Sequence, residues 1–165
     1  METSKYSAVG MSSIMSSKSA NYKHRLDHAF IIQTPIFPEE DIDLPFTVLL
    51  ANGKMILFKG YAWNGANVIP DTKSNHIGSA VHDAFYQLFE MGLLDSKASQ
   101  YCGEQNVALE LQNISDLFFE QICVKCGTWE WVAHGYYIGL KYFGWKAAQR
   151  KENTNKVDIY SYPLT

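Results

Sequence analysis

Nowhere in this chain do apolar residues run on long enough to cross a membrane. The most lipid-like segment, Trp129 to Trp145, is broken by Glu130, His134 and Lys141 and falls short of a spanning helix. No basic face is evident in the order of residues, and the net charge is −3, so nucleic acid is not an expected partner. Cysteine is scarce. Cys102, Cys123 and Cys126 are too few and odd in number for a disulfide framework, which points to a reducing compartment. The first twenty residues are serine-rich, with Glu2, Lys5 and Lys18 scattered among them. They hold no continuous apolar run that would serve a secretory signal, and none is expected. Internal repeats are absent as well.

What is present is enough apolar matter for a core. The 165 residues are 47% hydrophobic and 14% aromatic, which predicts one packed domain. Residues 1–20 read as a flexible arm, 21–148 as the globular unit and 149–165 as a tail, in which Val157 to Tyr162 form a short strand or lie on the surface. The expected class is α+β, with N-terminal antiparallel strands followed by three helices. His28 to Ile36 reads as a strand ended by Pro35. Pro38 to Pro45, rich in Glu and Asp, reads as a solvated connection. Phe46–Leu50 and Lys54–Phe58 flank Ala51-Asn52-Gly53, and the Asn-Gly step marks a hairpin because it takes positive φ cheaply. From Gly60 to Thr72, glycine, asparagine and proline predict a loop without a regular element. Helices are expected over about 75–91, 114–126 and 129–143. The second carries an inner stripe of Ile114, Leu117, Phe118, Gln121 and Ile122 and stops at Gly127.

The first helix carries the candidate chemistry. Ile77, Val81, Phe85 and Leu88 recur at helical spacing on one stripe, and His82 and Asp83 interrupt it. Adjacent helical residues diverge by roughly 100°, so His82 and Asp83 address neighbouring regions of space. Tyr86 lies one turn beyond His82. An antiparallel pairing of the first two helices would let Asp116 face His82. A carboxylate on one imidazole nitrogen fixes the tautomer and leaves the other as a general base. Asp83 would then bind a hard cation with oxygens from Trp63, Asn64 and Gly65, and that cation would polarise an ester carbonyl. The plainer alternative is a structural pair within an aromatic core.

Cys123-Val-Lys-Cys126 is an isolated CxxC at a helix end, and zinc would need two more ligands. His24, His28, His76 and His134 share no spacing. The aromatic segment 129–145 reads as a core helix first, and as a lipid-interface helix second.

Three motifs together carry a resemblance. Gly60-Tyr61-Ala62-Trp63-Asn64-Gly65, then Gly78-Ser79-Ala80-Val81-His82-Asp83-Ala84-Phe85-Tyr86, then Ser115-Asp116-Leu117-Phe118-Phe119 resemble an uncharacterised family common in phages and prophages. Its members read Gly-Phe/Tyr-x-Trp-Asp-Gly-x-Ser, followed by a His-Asp-x-x-Tyr helix and an Ala-Asp-x-x-Phe helix. The likeness covers about residues 46–148. Asn64 stands where that family usually has Asp, and Asn67 where it has Ser, which implies a weakened or inactive site if that carboxylate acts. The His-Asp-x-x-Tyr helix and the later Asp are in turn similar to the phospholipases A2. That likeness implies a paired-helix core with His82 as base, Asp83 holding calcium and Asp116 orienting His82. The function so implied is hydrolysis of a lipid or other ester. Phage kinship implies two alternatives, a virion or assembly component touching other virion proteins or its own copies, and a host-takeover binding module. It places the chain in the host cytoplasm or the virion.

Overall fold

The computed structural model describes residues 11–12, 22–65, 69–70, 72–94 and 107–144. Most of the arm, the tail with its candidate strand, Cys102, Asn67 and Asp71 lie outside the described residues. The fold is α+β, with two small antiparallel sheets followed by three helices.

Seven strands make the sheets: β1 (Met11–Ser12), β2 (His24–Leu26), β3 (Phe30–Gln33), β4 (Ile42–Asp43), β5 (Thr47–Leu49), β6 (Lys54–Leu57) and β7 (Ala62–Trp63). One sheet has the order β1-β2-β7 and the other β3-β6-β5-β4. The hairpin pairs Thr47 with Leu57 and Leu49 with Met55. Its three-residue loop closes with Gly53 N–H donating to the Leu50 carbonyl at 2.8 Å, and Gly53 sits at φ 79°. Asn-Gly therefore works here through a left-handed residue after a tight turn rather than through a two-residue loop.

Several segments depart from the sequence reading. The strand expected over His28–Ile36 is confined to Phe30–Gln33. The acidic connection contains β4, an edge strand only two residues long. It is tied to the hairpin tip by Ala51 N–H donating to Asp41 Oδ1 at 2.7 Å. The glycine-rich stretch contains β7, which pairs with β2 in register His24 to Trp63. Met11–Ser12, within the expected arm, pairs with β2 on its other side. The pairing of β2 with β7 joins segments far apart in sequence, and local turn propensity carries no information about such partners.

The helices are α1 (His76–Glu90), α2 (Val107–Lys125) and α3 (Glu130–Gly139), the last continued by a π-helical turn at Leu140–Gly144. Ile77, Val81, Phe85 and Leu88 of α1 are all buried. Asn75 precedes α1 but does not cap it. Its side chain instead accepts from Thr72 N–H at 3.1 Å and donates to the Pro70 carbonyl at 2.8 Å, stitching the incoming loop. Helix α2 begins seven residues before the expected 114, at Val107. Its stripe also differs: Leu117 and Gln121 are exposed, while Leu111, Ser115, Phe119 and Cys123 are buried. The sequence reading allows only a helical turn near Val107 to Leu111 within a loop; in the structure that turn is the start of α2. Gly127 does end α2, with Thr128 N–H reaching back to the Cys123 carbonyl at 2.9 Å.

Helices α1 and α2 pack against each other in antiparallel sense. Gly78 lies opposite Phe119 and Cys123, whereas His82 and Tyr86 lie opposite Asp116. A Cβ on Gly78 would meet the Phe119 ring at 3.0 Å and Cys123 Sγ at 3.4 Å. The missing side chain is what lets the helices approach this closely. Residues from the sheets and from α1 and α2, including Leu26, Leu49, Met55, Leu57, Phe85 and Leu88, form one core. A smaller cluster of Ile69, Phe119, Cys123, Ala133 and Leu140 seats α3 on α2.

Candidate functional site

The site grows out of the α1–α2 seam. His82 and Asp116 each stand on a buried helical stripe, so neither can stay polar without a partner. They find one another. His82 Nε2 lies 2.7 Å from Asp116 Oδ1, and Tyr86 donates its hydroxyl to the same oxygen at 3.1 Å. The spacing of four residues between His82 and Tyr86 brings both groups to one carboxylate. Their rings lie 4.3 Å apart, and Phe119 meets His82 edge-on at 5.7 Å. His82 is only 5% exposed.

The other imidazole nitrogen is the unusual one. Nδ1 of His82 is buried and has no hydrogen-bond partner, and Asp83 Oδ1 stands 3.8 Å away, beyond hydrogen-bond reach. Asp83 is the outward end of this set, with its side chain 23% exposed. Solvent thus comes within one carboxylate of Nδ1.

Burial alone would push the His82 pKa down, since it penalises the imidazolium. The hydrogen bond and charge of Asp116, with the nearby Asp83 carboxylate, more than overcome that, and the pKa rises to about 9. At neutral pH the ring is therefore charged, and its Nε2–H donates to Asp116. Burial and the Asp116 carboxylate together push the Tyr86 hydroxyl well above its ordinary range, so Tyr86 stays a donor.

The loop residues expected to supply cation ligands have other tasks. Trp63 is buried. Its indole N–H donates to Ser79 Oγ on α1 at 2.9 Å, and its carbonyl accepts Lys23 N–H at 3.2 Å. Ser79 passes its own proton to the His76 carbonyl at 2.9 Å. Trp63 therefore fastens β7 to the helix one turn before His82. Gly65 is buried at φ 75°, and Asn64 beside it is half-buried. Calcium takes six to eight oxygens. Among the described residues no group of three or more His, Cys, Asp or Glu could hold a metal ion, and Asp83 is the carboxylate of the set that reaches solvent.

Two features escaped the sequence reading. His24 and His76, far apart in the chain, come together with ring centroids 4.6 Å apart, and His24 also packs on Trp63 at 5.2 Å. No spacing rule links a residue on β2 to one at the start of α1. Ser79 was the second, and its signal was its position three residues before His82.

The CxxC is not a redox pair in waiting. Burial, with Cys126 and Glu120 nearby, pushes the Cys123 thiol up to about 12, and burial raises Cys126 too. A thiol so protonated is a poor nucleophile. In the folded protein Cys123 should resist alkylation by a maleimide at pH 7.5, and denaturant should release it at once. Prompt labelling of Cys123 in the native state, read by mass spectrometry, would show the packing around α2 to be wrong.

The chain matches no protein-family model, no curated protein and no solved structure.

Proposed function

We propose that this protein is a small ester hydrolase in which His82 is the general base. One observation carries the reading: His82 is gripped at Nε2 by Asp116 while its buried Nδ1 makes no hydrogen bond and has only the charge of Asp83, 3.8 Å away and in touch with solvent, beside it. A purely structural histidine ordinarily satisfies both nitrogens. Deprotonated Nδ1 would take a proton from a water admitted beside Asp83, and Asp116 would steady the imidazolium so formed. Asp116 and Tyr86 are positioning groups, and Asp83 acts through its charge. The likeness of the His82, Asp83, Tyr86 and Asp116 set to phospholipases A2 supports a lipid or related ester as substrate.

The raised His82 pKa shapes the expected activity. The base form grows as pH rises through about 9, so the rate should climb through that range and be small at neutral pH. Short-chain and phospholipid esters are the substrates to try, once with calcium and once with a chelator. His82→Gln should lower the rate about a hundredfold or more, with circular dichroism confirming the fold. Equal rates for the two proteins at every pH would end the reading.

A second reading is favoured by the same burial. A charged histidine held between two carboxylates and sealed by Tyr86 and Phe119 is also a good structural clamp. In that case the set is structural, and the resemblance to phage proteins is the ground for reading the protein as a virion or assembly component. Proteomics of purified virions that finds no copies would remove it.

A further inference from the structure

Helix α3 is seated on α2 through Ala133, Tyr136 and Leu140, and its opposite side is bare. That side carries Trp131, Ile138 and Tyr142 at helical spacing, with Trp129 at the start and Phe143 at the end. Trp129 and Trp131 are each 71% exposed, and Ile138, Tyr142 and Phe143 also stand in solvent. The expectation of a core helix over this segment is thus overturned: among the described residues, Tyr136 is the one large aromatic side chain of the segment that packs against the smaller core cluster.

We propose that the outer face of α3 docks on an anionic lipid surface. The residue types favour lipid over a protein groove. Tryptophan and tyrosine dominate it, the side chains that settle at headgroup depth because one end is apolar and the other wet. Charge points the same way. Residues 141–151 hold four of the chain's 14 Lys and Arg and no Asp or Glu, although the whole chain carries a net charge of −3. Lys141 lies to one side of the aromatic face, its ammonium 5.7 Å from the Tyr137 ring, and Lys146, Arg150 and Lys151 follow in the sequence. Basic residues beside an aromatic face add attraction to anionic headgroups. Glu130 is the single acidic residue between 129 and 145, and Glu120 of α2 is engaged by His134 at 3.1 Å. None of the described helices is long and apolar enough to cross a membrane, so the helix lies on the surface.

This proposal does not rest on the hydrolase reading, because binding is scored without turnover. The full-length protein is floated with vesicles of phosphatidylcholine containing phosphatidylglycerol, and with phosphatidylcholine alone. Tryptophan emission is followed in parallel. The expected result is flotation with the anionic vesicles, a blue shift, and a loss of about tenfold or more in binding at high salt. Trp131→Glu combined with Ile138→Glu should abolish binding while leaving the far-ultraviolet circular dichroism unchanged, since neither residue reaches the core. Absence of binding to the anionic vesicles overturns the proposal. So does binding that the double variant retains. A dimer in light scattering that the double variant splits, with no vesicle binding, would assign the face to a second copy instead.

Discussion

Replacing Asp116 by Ala should destabilise the folded protein by about 3–5 kcal/mol, the range for removing one partner of a buried ion pair. The loss has two parts. The His82 imidazolium would keep its burial but lose the carboxylate 2.7 Å from Nε2, and the Tyr86 hydroxyl would lose its acceptor. A domain of this size is held by roughly 5–15 kcal/mol, so thermal melting should fall far or vanish. Asp116→Asn keeps the shape and an acceptor oxygen. It should fold better than the Ala variant, yet its His82 pKa should drop, because burial would then act with less charge to oppose it.

The pH dependence follows from the same pair. The folded His82 pKa, about 9, lies above its ordinary value of 6.5. The pair's contribution is then complete below pH 6.5 and fades as pH rises through 9. Integrated over that window it amounts to at most about 3 kcal/mol. Wild-type melting temperature should therefore decline from pH 6.5 to 9.5, and the decline should be shallower in Asp116→Asn. A melting temperature flat across that range would mean that the ring is neutral when folded.

The second large effect belongs to Trp63. Trp63→Ala should cost about 3–5 kcal/mol, the range for emptying a large aromatic from a core. Trp63 is 1% exposed, stacks on Tyr61 at 5.9 Å and bonds Ser79 on α1 at 2.9 Å. With the His24–His76 ring contact, it is one of the side chains by which the β1-β2-β7 sheet holds the helix bearing His82. Trp63→Phe restores much of the volume and leaves only the Ser79 hydroxyl without its donor, so it should recover more than half of the loss. Chemical denaturation curves measure both variants. Equal stability of Trp63→Ala and wild type would mean that β7 does not pack on α1 in this way.

These two positions also mark how much the residues alone disclose. Helix α1 was legible because its apolar residues Ile77, Val81, Phe85 and Leu88 repeat at helical spacing. The hairpin was legible because Asn52-Gly53 is local turn chemistry. The His82–Asp116 meeting was legible as a possibility, since only a few polar groups interrupt the two buried stripes. Trp63 was legible as a core plug, but the contacts that place it were not. Its role depends on pairing with His24 and reaching Ser79, both set by the way distant segments fold together. The outward face of α3 was misjudged: aromatic content signals burial on average, but which side of a helix is covered depends on what lies beside it. Helix α2 was cut short although Ala108, Leu109, Glu110, Leu111 and Gln112 are all good helix formers, because the polar run before them was read as continuing through them.

The resonance of a single ring tests the whole arrangement most directly. With the histidine side chains isotopically labelled, and His82 assigned by its absence in His82→Gln, its nuclear magnetic resonance titration should have a midpoint near 9, with Nε2 protonated throughout. A midpoint at or below 6.5 would contradict the account, because it would mean that the two carboxylates do not hold the ring.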